Sequence, residues 1–225
     1  MKRQPKYQSI IYDFDGVILD TVSTKISAFA SVYRAEPPSK VAEVLEYAEA
    51  NGGMSRYEKF RHFERNVFRR LLSDARLEAL CSEYGAFVEK GVASARFIDG
   101  APEAIMLLAG FMNQHVVSAA PEGELNRALG DRGLRRCFRT TAGAPKSKLA
   151  EFQRILLQDG VEPGDVLAIG DSLTEYRAAL ELGIPFLAIV PAGAPDRFPE
   201  QLPKRPDLTD LVDLLEPPLA GPAPN

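Results

Sequence analysis

Apolar positions recur along this chain in two rhythms. Short unbroken runs at Ser9 to Phe14, Gln114 to Ser118, Val166 to Ile169 and Pro185 to Val190 read as buried β-strands, and a weaker fifth falls at Arg139 to Ala142. From Asp99 onward these runs alternate with stretches whose apolar residues are three and four apart. "DGAPEAIMLLAG" has Pro102 placed for a first helical turn and Gly110 for the exit. "PEGELNRALGDRGL" carries acids early and arginines late, as the helix dipole prefers. "KSKLAEFQRILLQDG" puts Leu149, Phe152, Ile155 and Leu156 on one face before Gly160, and "LTEYRAALELG" closes on Gly183. Strands alternating with helices predict an α/β fold, a Rossmann-like parallel sheet covered on both faces. Ligands of such sheets bind at the carboxyl ends of the strands.

Residues 21–97 break the alternation. No clear strand occurs there, only helical stretches at about 24–34, 39–50, 55–72 and 74–94. In the third, Tyr57, Phe60, Phe63 or Glu64, Val67 and Leu71 keep helical spacing, and Ser55 with Glu58 fits a capping box. The block reads as a helical insertion. The expected division is a core from 1–20 and 98–216, an inserted helical domain at 21–97, and a proline-rich, disordered tail at 217–225.

Composition narrows the function classes. The 225 residues carry 27 basic and 31 acidic side chains, a net charge of −4, which gives no reason to expect a nucleic-acid partner. No run of about 18 apolar residues appears, so no membrane span is expected. The basic start "MKRQPK" is followed by no apolar stretch of signal-peptide length, and the two cysteines, Cys81 and Cys137, stand far apart. A cytoplasmic protein, monomer or homodimer, is the expectation.

The chemistry concentrates where strands end. In "SIIYDFDGVILD", alternation along a strand sends Asp13 and Asp15 to one side and Phe14 to the other, and Gly16 permits a tight turn. Two carboxylates in one place need a proton, a cation or both. A hard ion such as Mg²⁺ accepts carboxylate oxygens and keeps positions open for phosphate. "VVSAAP" ends a predicted strand at Ser118, where the backbone N–H groups around Ala119 can hold phosphate oxygens. "GAPKSK" sets Lys146 and Lys148 at a helix start, as point charges for phosphate. "VLAIGDSLTE" repeats the first pattern with Asp171 and Glu175. Each taken singly has a plainer account, such as Ser118 or Asp171 capping a helix. Four such groups, each just after a strand of one sheet, point to a phosphate-handling site.

These motifs, "DFDGVILD", "VVSAAP", "KSK" and "IGDSLTEYRAALELGIPF", resemble those of the haloacid dehalogenase superfamily, in its phosphoglycolate-phosphatase-like branch with a helical cap. The likeness runs from Ser9 to about Leu215. It implies a Mg²⁺-dependent phosphatase of a small phosphorylated metabolite, working through an aspartyl-phosphate. By the same resemblance Asp13 is the nucleophile, and Asp15 is the general acid and base, arriving protonated. Ser118, Ala119 and one lysine bind the transferring phosphate, with Lys148 favoured over Lys146. Asp13, the Asp15 carbonyl and Asp171 hold Mg²⁺. Glu175 stands where the family usually has a second aspartate and, one methylene longer, is expected to reach the metal as well.

Substrate choice is expected in the inserted helices. In "NGGMSRYEKFRHFER", Gly52, Gly53 and Arg56 read as a specificity loop, with Arg56 meeting an anionic part of the substrate; a hairpin with a solvated basic face is the plainer reading. His62 and His115, without partner spacing, read as structural. Two alternatives stay open: a β-phosphoglucomutase-like phosphomutase, against which Lys25 counts where that branch carries histidine, and a catalytically silent binding protein. Dehalogenation does not need Asp15. Phosphonate cleavage would want a Schiff-base lysine, for which Lys25, Lys40 and Lys59 are candidates.

Overall fold

The computed structural model describes residues 6–215; the expected disordered tail lies outside them. Its centre is a parallel sheet in the order β3-β2-β1-β4-β5-β6. The strands are β1 (Ser9–Tyr12), β2 (Asn113–Pro121), β3 (Thr140–Ala144), β4 (Val166–Gly170), β5 (Phe186–Ile189) and β6 (Lys204–Arg205). Strand β1 lies in the middle, pairing Ser9 with Asn113 on one side and with Val166 on the other. It is covered on both faces, so its four residues are all buried and read as one apolar run. Helices α5 (Ala101–Leu108), α6 (Glu122–Asp131), α7 (Lys148–Asp159), α8 (Leu173–Leu182) and α9 (Leu211–Leu215) flank the sheet. One cluster joins Ile10, Tyr12, Ile105, Val116 and Leu129; the other joins Ile11, Val117, Phe152, Ile155 and Phe186. Alternate residues of β1 feed the two clusters, as the strand's period of two requires.

The predicted parallel α/β sheet is therefore present, with differences at its margins. Strand β2 runs three residues past Ser118, because its register against β3 shifts between Val117 and Pro121. Strand β6 and α9 carry no sequence pattern long enough to read: two residues and five.

Four helices occupy the stretch after the first strand: α1 (Val22–Val32), α2 (Pro38–Ala50), α3 (Arg56–His62) and α4 (Asp74–Ser94). They gather around Val44 and the rings of Phe29, Tyr33, Phe60, Phe63 and Tyr84, packed largely edge to face. The single helix expected over 55–72 does not form. The capping box at Ser55 and Glu58 starts α3 as read, but Phe63–Val67 is a π-helical turn and no helix covers 68–73. The wider turn brings Phe63 and Glu64 inward together, where an α-helix would favour one; the Tyr33 hydroxyl donates to Glu64 at 2.9 Å. Arg69, at φ 55°, then turns the chain out of the helix.

At the amino ends of the strands, Ser9 Oγ donates to Asp159 Oδ2 (2.6 Å) and His115 Nε2 contacts the same oxygen (2.8 Å), all buried. Asp159 is held ionised, its burial outweighed by these bonds, so it only accepts and Nε2 carries the proton. Burial holds His115 below the usual histidine range, against the pull of Asp159. Both folded values lie below the unfolded ones, so the stabilisation is complete above about pH 6.5 and drains away as pH falls. Denaturant titrations from pH 7.5 to 5 are expected to show the stability difference between wild type and His115→Gln changing by on the order of 1 kcal/mol against wild type, which cancels the buried acids common to both proteins. Equal slopes would contradict this account. Among the described residues no helix is long and apolar enough to cross a membrane.

Candidate active site

The chain leaves β1 at Tyr12 and places Asp13 beyond the sheet, where its N–H donates to the Ile169 carbonyl (2.9 Å) and its Oδ1 accepts from the Phe14 N–H (2.7 Å). Phe14 turns into the core while Asp13 and Asp15 line a cavity of about 480 Å³ between the sheet and the helical layer. Gly16 then takes φ +72°, and its missing side chain matters. A Cβ there would lie 2.3 Å from Asp171 Oδ2, so only glycine lets the carboxylate after β4 approach the β1 turn. Asp171 follows Gly170, the last residue of β4, and Glu175 comes from the first turn of α8.

Asp13, Asp171 and Glu175 bring one oxygen each to within 4.8 Å of one another. Lys148, at the first position of α7, donates to Glu175 and lies 2.9 Å from Asp13 Oδ2; lysine and both acids are buried. One ammonium does not balance three acids. Burial pushes Asp13 well above the carboxylate range against the pull of Lys148, with Glu175, Asp171 and Asp15 adding to the rise. Burial and Glu175 likewise push Asp171 up to about 7. Burial would raise Glu175 too, but Lys148 and Ser172 hold it low. Three hard oxygen donors with a deficit of positive charge fit a divalent cation such as Mg²⁺, whose charge would lower Asp13 and Asp171 together.

Asp15 differs from the expectation of a protonated acid. Lys25, from α1, lies 2.5 Å from its Oδ2, and the Thr21 hydroxyl donates to Oδ1 at 2.5 Å. Burial alone would raise Asp15, but Lys25 and Thr21 outweigh it and hold the carboxyl low. Nothing in the sequence paired residues 15 and 25, since they belong to a strand turn and to the next helix.

The other predicted positions divide. Ser118 is buried, its Oγ accepting from the Ala120 N–H (3.1 Å), and Ala119 lines the cavity. Lys146 does not join the site: half exposed, it pairs with Glu122 at 2.8 Å. The cause is local, since α7 begins at Lys148 and turns that residue inward over the sheet. Arg56 is not a free anion receptor in this state. Its guanidinium forks onto both Glu124 oxygens (2.9 and 2.5 Å), an ion pair between α3 and α6, and lies over Tyr84. Gly53, at φ +74°, packs against α8, where a Cβ would meet Ser172 Oγ at 2.3 Å and Glu175 Oε1 at 2.6 Å. Thr174 Oγ1 donates to the Gly52 carbonyl (2.9 Å). The glycine loop thus sits over the acidic cluster. Of the three lysines weighed for imine chemistry, Lys25 is paired with Asp15 and Lys40 with Glu43, both through short ion pairs, while Lys59 is buried in the cavity wall. His62 stacks on Tyr47 at 3.5 Å, away from the acids.

Known proteins resemble this arrangement. A family described as haloacid dehalogenase-like hydrolase matches residues 10–189. No curated protein sequence matches significantly. Among solved structures, a predicted phosphoglycolate phosphatase of Haemophilus somnus superposes with a TM-score of 0.72 at 16% identity, covering 93% of this chain and 98% of that one. A magnesium-bound hydrolase of Bacillus subtilis, YfnB, gives 0.69 at 20% identity over 94% and 99%. CbbY of Rhodobacter sphaeroides, in complex with xylulose-(1,5)bisphosphate, gives 0.70 at 18% over 91% and 96%. At these identities the likeness speaks for the fold.

Proposed function

The chain belongs to the haloacid dehalogenase-like hydrolases, and from that premise we propose that it is a Mg²⁺-dependent phosphatase of small phosphorylated metabolites. One observation carries the reading: Asp13 and Lys148 meet Asp171 and Glu175 at the carboxyl ends of the strands, where Asp13 and Asp171 line a cavity of about 480 Å³. That volume suits a metabolite-sized ligand.

Asp13 Oδ attacks phosphorus, the bond from phosphorus to the ester oxygen breaks, and an aspartyl-phosphate forms. The leaving oxygen takes a proton relayed through Asp15 from the Lys25 ammonium beside it, which the proton later drawn from water replaces. Asp15 then removes a proton from water as the water oxygen attacks phosphorus, which frees Asp13 and inorganic phosphate. Lys148 offsets charge on the phosphoryl oxygens, and Ser118 with the Ala119 backbone orients them. Asp13, the Asp15 carbonyl and Asp171 would hold Mg²⁺, with Glu175 beside them. Bound there, the ion would supply positive charge to offset that of the carboxylates and of the phosphoryl group. The helical layer excludes water from phosphorus while Gly53 rests on α8.

Hydrolysis of 4-nitrophenyl phosphate tests the reading. Turnover is expected with Mg²⁺, is lost in EDTA, and returns on adding Mg²⁺ back; Asp171→Asn should raise the Mg²⁺ requirement by about tenfold or more. Activity untouched by EDTA would remove the metal from the scheme, and no hydrolysis of this or a broad metabolite panel would remove the phosphatase.

A further inference from the structure

The cations around the cavity are not equivalent. Lys25 pairs with Asp15, Arg56 with Glu124 and Arg197 with Glu49, while Arg177, which forms no ion pair among the described residues, is exposed to water. Lys59, on α3, is buried to 8% exposure, yet forms no ion pair among the described residues. Its ammonium donates to the Ala48 carbonyl at 3.1 Å and stands 5.6 Å from the Phe29 ring centre, both neutral partners. Lys59, Ala48 and Phe29 all line the same cavity as Asp13 and Asp15. A lysine buried without a counter-charge is costly, and one hydrogen bond uses only a third of its donors. The cost is recovered if a ligand brings the missing anion.

We propose that Lys59 is a specificity residue that binds a second anionic group, carboxylate or phosphate, on the part of the substrate that is not transferred. The inference rests on the phosphatase reading and narrows its substrate class to phosphomonoesters carrying a further negative charge. A neutral substrate would leave the ammonium facing only a carbonyl and a ring. Burial draws Lys59 down to about 8, with Lys25 adding to the fall and Asp15, Asp171 and Glu175 opposing it, so at neutral pH it still carries the proton an anion needs. Lys59 stands on α3 in the helical layer, whereas Lys148, Ser118 and Ala119, which hold the transferring group, belong to the sheet and α7, so the two ends of the ligand are held apart.

Three phosphonates that the enzyme cannot hydrolyse test this by calorimetry with Mg²⁺ present. Phosphonoacetate carries a carboxylate, propane-1,3-diphosphonate a second phosphonate, and propylphosphonate neither. Wild type is expected to bind at least one of the first two about tenfold or more tighter than propylphosphonate, and which one distinguishes the carboxylate from the phosphate. Lys59→Met should erase that preference while leaving propylphosphonate within about twofold, and Lys59→Arg should keep much of it. If Lys59 only tied α3 to α2, Lys59→Met would lower Tm and weaken all three ligands alike, and that outcome overturns the proposal. So does a wild type that does not discriminate. Because binding is read without turnover, absence of phosphatase activity would sink the preceding section's reading and not, by itself, this one.

Discussion

Asp13→Asn is expected to lower kcat for aryl phosphate hydrolysis by about 10⁴-fold, roughly 5 kcal/mol of barrier. No neighbour can replace the attacking oxygen. Asp15 is engaged by Lys25 and Thr21, and Glu175 by Lys148 and Ser172. The fold should not suffer. Asp13 is raised by burial and by three surrounding acids, so at neutral pH its charge is a liability to the metal-free protein. The neutral isostere is therefore expected to keep or raise Tm in EDTA while losing most of the stabilisation that Mg²⁺ gives wild type. Single-turnover rates and thermal melts with and without Mg²⁺ read the two halves separately. A variant within tenfold of wild-type kcat would exclude Asp13 as nucleophile.

Lys148→Met carries the second large effect, and here stability and activity fall together. Among the described residues the lysine is the one ammonium lying against both Asp13 and Glu175, and all three side chains are nearly sealed from water. Removing it leaves two buried acids, Asp13 and Glu175, without their cation, a loss of about 3 kcal/mol in the metal-free protein. Mg²⁺ should restore part of that, since it supplies positive charge to the same oxygens. Turnover is expected to drop about 10²- to 10³-fold even with saturating Mg²⁺, because charge on the phosphoryl oxygens loses a fixed donor. Lys146→Met, at a half-exposed surface pair, should stay within about twofold of wild type on both counts. Equal behaviour of the two variants would show that the burial of Lys148 has no bearing on the chemistry.

The two lysines also mark where sequence reading stops. "GAPKSK" puts both near a helix start, and spacing alone leaves the choice between them open. The register of α7 decides it, because a helix beginning at Lys148 turns that residue over the sheet and leaves Lys146 outside. Arg56 shows the same limit differently. Its position after the two glycines is legible, but its partner Glu124 lies 68 residues away on another helix, and no local pattern announces the pair. The expected protonation of Asp15 was reversed for a similar reason: Lys25 comes back to it only once α1 is laid across the strand ends.

What the sequence by itself determined is the set of features with short physical range. Unbroken apolar runs mark strands buried on both faces, period-3.6 faces mark the helices between them, and glycines and carboxylates at strand ends mark the turns where chemistry can sit. Those signals are written within a few residues, so they survive without coordinates. Only the tertiary structure decided which charges are paired, which are buried alone, and which acids crowd together, because these depend on distances across the fold and on the exclusion of water. Lys59 is the plainest case. In the chain it is one basic residue among several on a helix; in the folded molecule it is a sealed cation with neutral neighbours, and burial, not spacing, makes the difference.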